Sequence, residues 1–241
     1  MRALALAILA QAALLSGPAV AQAVDWSGPY AGVLAGYAWG RGHATSPYDA
    51  ATGYYYNFSG DPYGVSAGGA IAGGVIGNNW QMSGGILGVE GEAGYMDIRG
   101  RRLDPNAVAH GWDDTFTSLK GGVYGTASLR AGIRAGDGLL YAKAGVALLG
   151  AKGATIDACV APPVGCGTEM LTMTGDKTLV GWSVGAGLEW PLDAHWSVRA
   201  EYAYFDFGKI AVAGGGTAND FYTQTIGVKA HTARAGVSYR W

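Results

Sequence analysis

The chain has 241 residues, of which only 14% are charged and 42 are glycine, whereas an average soluble domain is about a quarter charged and about 7% glycine. The 16 Lys and Arg nearly balance the 18 Asp and Glu, so the sequence has no basic excess that would indicate nucleic-acid binding. No segment after the N-terminus is a long uninterrupted apolar run, which argues against a helical membrane protein. A single all-β barrel of this length is ordinary.

The first 23 residues have the layout of a secretory signal peptide. Arg2 precedes the apolar run Ala3–Leu15, Pro18 breaks the helix, and small residues follow at Ala21 and Ala23. This order predicts a signal peptide over residues 1–23, cleaved after Ala23 or, as the alternative, after Ala21. An uncleaved anchor helix is the competing interpretation, but the apolar run is shorter than the roughly 20 residues that span a bilayer.

Eight segments of the mature chain alternate between an apolar row and a more polar row of side chains. Because successive side chains of a strand point to opposite faces, this alternation predicts β-strands. The first two segments are rich in Gly and Ala and alternate less clearly. In chain order, the predicted strands cover residues 30–40, 65–77, 87–95, 127–133, 140–148, 180–190, 196–204 and 233–241.

The connections between these strands are alternately long and short. Three are short turns, at residues 78–84, 136–138 and 191–195. Four are long and rich in Gly, Pro, Asn, Asp and Thr, at residues 41–64, 97–114, 151–176 and 208–230. Long loops count against a compact soluble domain, but outer-membrane barrels pair long external loops with short periplasmic turns. The pattern therefore predicts an all-β fold, an eight-stranded antiparallel up-and-down transmembrane β-barrel formed by residues 24–241.

The charged side chains of the six clearly alternating strands all lie in the row opposite the large apolar ones. A lipid-facing Arg or Lys at the bilayer midplane costs roughly 2 to 4 kcal/mol, so in a barrel the apolar row must face lipid. A soluble β-sandwich would bury that row instead, and alternation alone does not separate the two folds. These ionisable residues are Glu90, Glu92, Arg130, Arg134, Lys143, Glu189, Arg199, Glu201, Arg234 and Arg240.

Aromatic residues favour the barrel. With both chain termini in the periplasm, the Trp and Tyr side chains fall into two belts, as they do at the two interfaces of a membrane. The predicted periplasmic belt contains Trp26, Trp190, Trp196, Tyr239 and Trp241. The predicted outer belt contains Tyr37, Trp39, Tyr95, Trp182 and Tyr204.

Charges at neighbouring depths should meet inside the barrel. Eight strands enclose a lumen only wide enough for side chains, so we predict a buried ion-pair network in the barrel interior. Paired catalytic carboxylates are the alternative for Glu90 and Glu92, but the bases expected opposite them favour charge pairing. In the predicted network, the carboxylates of Glu90, Glu92 and Glu201 share the cations of Arg130, Lys143, Arg199 and Arg234.

The two cysteines, Cys159 and Cys166, lie in a Pro- and Gly-rich stretch that has no strand pattern. An exported protein meets an oxidising compartment, which favours a disulfide within this loop. A zinc site is the alternative, but it would need more Cys or His at short spacing. We therefore predict a Cys159 to Cys166 disulfide and no metal.

Four histidines are the candidate haem ligands or catalytic bases. His43 and His110 lie in predicted external loops, where a haem contact and a solvated side chain both remain open. His195 and His231 fall near opposite rims, so no Ser and His meet at a matched depth as nucleophile and base. We predict no enzymatic activity and no cofactor.

Five segments carry a resemblance to a known family: WSGPYAGVLAGYAWG (26–40), GVEGEAGY (88–95), GWSVGAGLEW (181–190), WSVRAEYAYFDFG (196–208) and HTARAGVSYRW (231–241). The chain resembles small bacterial outer-membrane β-barrels of the opacity-porin or surface-antigen type, similar in architecture to the OmpA transmembrane domain. The family usually ends in Phe, whereas this chain ends in Trp241, which keeps a large aromatic side chain. Tyr239 and Trp241 thus resemble the C-terminal signal that the barrel-assembly machinery recognises.

The resemblance implies a surface-exposed or structural barrel in the outer membrane of a Gram-negative bacterium. Our hypothesis is a noncatalytic barrel that contributes to envelope structure and presents surface loops. Some relatives are reported to bind haemin, although no haemin motif transfers to residues of this chain. The alternatives are therefore a surface receptor for a small ligand such as haemin, or a narrow porin. The expected partners are outer-membrane lipid, the barrel-assembly machinery and, through the loops, a small ligand or a host surface.

Overall fold

The computed structural model describes residues 24–51, 53–55, 60–109, 114–157, 171–215 and 221–241. The predicted signal peptide, His110, Cys159 and Cys166 lie outside these residues. Within them, no helix is long and apolar enough to cross a bilayer.

Strands make up almost all of the described chain. In chain order they are β1 (Gly28–Ala44), β2 (Tyr48–Asp49), β3 (Tyr54–Tyr55), β4 (Tyr63–Met82), β5 (Gly85–Met96), β6 (Arg99–Leu103), β7 (Thr115–Lys120), β8 (Val123–Ala135), β9 (Gly138–Asp157), β10 (Leu171–Pro191), β11 (Trp196–Gly215) and β12 (Phe221–Arg240). A single turn of helix, α1 (Pro105–Ala109), separates β6 from β7.

The long strands close into an antiparallel ring in the order β1, β4, β5, β8, β9, β10, β11 and β12. The first and last strands complete it, with Tyr30 opposite Arg240 and Trp39 opposite His231. Lipid offers no hydrogen bonds to an unpaired strand edge, so this closure satisfies the backbone of the whole ring. The predicted eight-stranded up-and-down barrel is confirmed.

Short strands extend the wall at the end away from the chain termini, called the outer end below. β6 and β7 continue β5 and β8 after breaks at residues 97–98 and 121–122. β6 pairs with β4 and β7, and β7 pairs with β9, so the wall stays continuous. β2 pairs with the outer end of β12, and β3 pairs with β2.

The predicted extent of the long loops is wrong, because the strands continue far into them. β9 runs to Asp157 and β11 to Gly215, for example. In these extensions the inward row is mainly apolar, as at Leu149 and Ile210, with buried polar residues such as Thr155 and Gln224 nearer the outer end. The outward row is polar, as at Lys152. This side-chain pattern is the reverse of the lipid-facing pattern, in which the apolar row points outward. A prediction that follows the lipid-facing pattern therefore ends each strand where the two rows exchange polarity.

The interior changes polarity along the barrel axis. Its middle layer contains ionised side chains, whereas a hydrophobic core fills the lumen towards the outer end and a smaller apolar cluster lies near the chain termini. The outer core includes Leu149, Leu179, Phe205, Phe207, Ile210, Val212, Ile226 and Val228. The terminal cluster contains Trp26, Ile86, Leu139 and Tyr141.

Tight turns join the strands at the terminal end. Gly136, between β8 and β9, has a φ of 64°, a left-handed conformation that glycine adopts without steric cost. Asp193, between β10 and β11, accepts backbone N–H bonds from Trp196 (2.7 Å) and His195 (2.8 Å). These two bonds hold the pKa of the Asp193 carboxyl below its usual value, so the ionised side chain helps to stabilise the turn.

Candidate functional site

Ionised side chains from six strands converge in the middle of the lumen. The inward rows of the strands supply them, and the register places Glu201 opposite Arg234 and Arg130 opposite Lys143. Each is at most 6% exposed. Arg134, in the same row of β8, is exposed instead. The ion-paired set comprises Glu90, Glu92, Arg130, Lys143, Glu189, Arg199, Glu201 and Arg234, so four cations face four carboxylates. Arg240 is equally buried but lies apart from them, over the Trp26 ring.

Lys143 lies at the centre of this network. Its Nζ atom is 2.7 Å from Glu90 Oε1, 3.0 Å from Glu201 Oε2 and 3.4 Å from Glu92 Oε2. Arg199 Nη2 lies 3.0 Å from Glu90 Oε2 and 3.1 Å from Glu201 Oε2. The Lys143 ammonium and the Arg199 guanidinium therefore share the carboxylates of Glu90 and Glu201, so the ion pairs are connected to one another.

Arg234 bridges two of the carboxylates, because its two terminal nitrogens donate separately to Glu92 and Glu201. Arg130 departs from the predicted grouping. Its nearest carboxylate is Glu189 at 2.5 Å, whereas Glu90 is 3.9 Å away.

Glu189 is a member of the network that the sequence reasoning left out. It sits in the polar row of β10, opposite Leu139 on one side and Arg199 on the other. Ser197 Oγ also donates to Glu189 Oε1 over 2.7 Å. Glu189 and Arg199 lie at similar distances from the 191–195 turn that joins their strands. This shared depth is the sequence signal that places Glu189 in the network.

Three buried tyrosines complete the carboxylate shell, and the sequence reasoning did not include them. Tyr30 donates to Glu90 over 2.8 Å, Tyr141 donates to Glu201 over 3.0 Å, and Tyr124 donates to Glu92. The Arg130 guanidinium also lies 3.7 Å from the centre of the Tyr141 ring. Each hydroxyl is a neutral donor, so it satisfies a carboxylate without changing the balance of charge.

Trp26 closes the terminal end of the lumen. The prediction that it belongs to the lipid-facing belt is wrong, since its side chain is 0% exposed inside the barrel mouth. Its backbone N–H donates to Gln81 Oε1 (2.8 Å), and the Arg240 guanidinium lies 4.4 Å from its ring centre. Gly28, with a φ of 101°, lets the chain before β1 turn inward.

The outer end is closed by the hydrophobic core. The rings of Phe205 and Phe207 stack there with centroids 5.4 Å apart, and Leu149 and Ile210 beside them are fully buried. A buried hydrogen-bonded cluster of Thr117, Thr155 and Gln224 adjoins this apolar layer further towards the outer end. Trp26, the ionised layer and this apolar layer thus occupy successive levels of the lumen.

The outer surface of the barrel wall is apolar between two aromatic bands. Trp190, Trp196 and Trp241 are exposed near the terminal end, where Tyr239 packs edge-on against both Trp196 and Trp241. Tyr37, Trp39, Tyr95 and Trp182 are exposed nearer the outer end. Exposed Val and Leu side chains lie between the bands, as a hydrocarbon environment requires.

The remaining candidate residues do not converge. His43 is exposed on the outward face of β1. His195 stacks on Tyr239 at the terminal end, whereas His231 hydrogen-bonds to the Tyr202 hydroxyl (2.6 Å) near the outer band. In the part of the chain that the structure describes, no group of three or more His, Cys, Asp or Glu could hold a metal ion.

A closed antiparallel ring with an apolar, aromatic-banded exterior and an ion-filled interior defines an outer-membrane β-barrel protein. Residues 7–240 match the family described as "Outer membrane protein beta-barrel domain", and the chain belongs to this family. The resemblance stated from the sequence is thus confirmed, and the protein is located in the outer membrane of a Gram-negative bacterium.

Two relatives and one solved structure illustrate the similarity. The 31 kDa outer-membrane immunogenic protein of Brucella melitensis is 30% identical over 220 residues, which cover 90% of this chain and 84% of the relative. The 25 kDa outer-membrane immunogenic protein of Brucella abortus is 26% identical over 228 residues, 92% of this chain and 82% of the relative. The outer membrane protein OprG from Pseudomonas aeruginosa has the same fold, with a TM-score of 0.55, 12% identity and coverage of 89% of this chain and 97% of that one.

Proposed function

We propose that this protein is a noncatalytic structural barrel of the outer membrane, which seals its own lumen and presents its outer wall and loops to the exterior. One observation carries the proposal: a charge-balanced, buried network lies between an apolar core and the Trp26 plug. Solute passage would require several buried ion pairs to break together, and stranding one charge costs about 3 to 5 kcal/mol. A narrow porin is therefore the weaker alternative.

The test is the conductance of the purified barrel in planar lipid bilayers. Folding is first verified by heat-modifiable migration on a gel, since a closed barrel stays compact until it is boiled. A wide porin reconstituted in parallel serves as the positive control. We expect no steady conductance from this protein, and porin-sized steps from the folded sample would contradict a sealed lumen.

A receptor for haemin is a separate alternative that has its own test. Among the described residues, His43 is the histidine on the outward face at the outer end. Titration of the folded barrel with haemin is expected to leave the Soret band unchanged. A saturable shift that His43→Ala abolishes and His195→Ala preserves would replace the structural proposal by a receptor.

A further inference from the structure

A row of positive side chains crosses the outer surface of the wall. Arg99 on β6 is the register partner of Lys120 on β7, and Lys120 is the register partner of Lys152 on β9. All three are exposed. Directly opposed side chains have Cβ atoms about 5 Å apart, and like charges in such positions are unfavourable. The row therefore needs anions to offset its own repulsion.

Among the described residues, carboxylates form ion pairs with this row at its two ends. Arg99 Nε lies 2.9 Å from Asp97 Oδ1, and Lys152 Nζ lies 2.6 Å from Asp176 Oδ2. Lys120, in the middle, has no carboxylate partner among the described residues. The centre of the row is thus a positive site that is open to an external anion.

The three side chains line a surface groove of about 550 Å³ that also includes Ser118, Thr174 and Asp176. The groove is large enough for more than one phosphate group and is open to the side of the barrel. Ammonium and guanidinium groups together suit a phosphorylated headgroup, because both donate charge-assisted hydrogen bonds to phosphate oxygens.

The height of the groove identifies the source of the anion. Tyr95, on the strand that β6 continues, is an exposed member of the outer aromatic band. Its register partner Val123 is 68% exposed, and Val180 nearby is 67% exposed. Because Tyr and Trp side chains mark the level of the headgroups, the basic row lies just above the hydrocarbon, where lipid phosphates are found.

We propose that the groove formed by Arg99, Lys120 and Lys152 binds the phosphate groups of a phosphorylated glycolipid of the outer leaflet. The acyl chains of that lipid lie against the apolar wall below, at Val123 and Val180. The groove is continuous with the lipid-facing surface of the wall. A lipid can use both surfaces at once, whereas a soluble polyanion has no acyl chains to place on the apolar wall. The inference goes beyond the sealed barrel, because it concerns the outer face of the wall and does not depend on the lumen.

The test compares two triple variants by native mass spectrometry of the folded barrel in detergent. R99Q/K120Q/K152Q removes the row, and R41Q/K209Q/K229Q removes three exposed positive charges on β1, β11 and β12 that lie outside the groove. The probes are bis-phosphorylated lipid A, the same lipid after enzymatic dephosphorylation, and inorganic phosphate. A basic side chain near an anionic lipid surface contributes roughly five-fold in affinity.

We expect the wild-type barrel to bind the phosphorylated lipid at least tenfold more tightly than the dephosphorylated one. R99Q/K120Q/K152Q should lose at least tenfold, and the control triple variant should stay within about threefold of wild type. Equal losses in both variants, equal binding of the two lipids, or displacement by millimolar inorganic phosphate would each overturn the proposal. If R99Q/K120Q/K152Q does not form a compact, heat-modifiable barrel, the single variant K120Q is used instead. Its affinity for the phosphorylated lipid is expected to fall roughly five-fold.

Discussion

Lys143 and Glu90 meet inside the barrel with 2.7 Å between Nζ and Oε1, although 53 residues separate them in the chain. The same ammonium group also lies within 3.4 Å of Glu92 and Glu201. One positive charge therefore holds three carboxylates together, and the stability of the barrel depends on it.

Removal of this charge should destabilise the barrel strongly. Lys143→Met keeps most of the side-chain volume but leaves four buried carboxylates facing three cations, so we expect a loss of about 3 to 5 kcal/mol in the free energy of unfolding. Urea unfolding in lipid vesicles, followed by Trp fluorescence, measures it. Lys229→Met, which removes an exposed lysine paired with Asp206, is the control and should cost less than about 1 kcal/mol. Equal losses would argue against the network.

Simultaneous removal of both partners should cost less than the sum of the single changes. The double variant Glu90→Gln with Lys143→Met restores the balance of buried charge, so we expect a favourable coupling of at least about 1 kcal/mol in a double-mutant cycle. The distant pair Lys143→Met and Lys229→Met should be additive within about 0.5 kcal/mol. An additive result for the first pair would mean that the two charges do not interact.

Trp26 should contribute to stability as a core residue does. Trp26→Ala leaves a cavity in the terminal mouth beneath Arg240, and we expect a loss of about 3 to 5 kcal/mol. Trp190→Ala is the matched control, because that indole is exposed on the wall and lipid fills the space it leaves. Unfolding midpoints in the same vesicles compare the two, and a smaller effect at Trp26 than at Trp190 would contradict the plug.

A positive charge on the lipid-facing wall should be costly. Leu129 lies midway along β8 and is 71% exposed, so Leu129→Arg should cost about 2 to 4 kcal/mol. Ala211→Arg, on the outward face of the β11 extension, should be within about 0.5 kcal/mol of wild type. A neutral Leu129→Arg would show that this surface does not meet hydrocarbon.

The C-terminal aromatic residues are predicted to act in assembly. Trp241→Ala should lower the fraction of compact barrel recovered from cell membranes, whereas Trp241→Phe should preserve it, because a terminal aromatic side chain remains. Heat-modifiable migration gives that fraction. Trp196→Ala removes an exposed aromatic side chain of the same band, and an equal effect there would indicate a general interface anchor rather than a terminal signal.

Residue alternation was sufficient to predict the ring and the direction in which its charges point. Glu90, Arg130 and Lys143 lie in polar rows, and all three are buried in the lumen. The alternation could not predict contacts, since these depend on the stagger between strands. Arg130 therefore lies closer to Glu189, which the predicted network lacks, than to the predicted partner Glu90.

Two further differences have local physical causes. The position of Trp26 near the chain terminus predicts a place in the periplasmic belt, but the left-handed backbone at Gly28 turns this part of the chain into the barrel mouth. The strand extensions beyond Leu149 were missed because their apolar residues point inward. Alternation identifies the two faces of a strand but not whether lipid, water or the protein core contacts each face. The outward face of one strand contacts lipid in its lower part and water in its extension.

The reversal of polarity along the strands constrains how the protein reaches its final state. The outer part of the wall carries Lys152 and Lys209 on its outside and has a core like that of a water-soluble domain. Charged outward faces are costly in hydrocarbon, so we expect these hairpins to cross the bilayer before that core forms. Closure of the cylinder at this end is then expected late in the folding of the barrel.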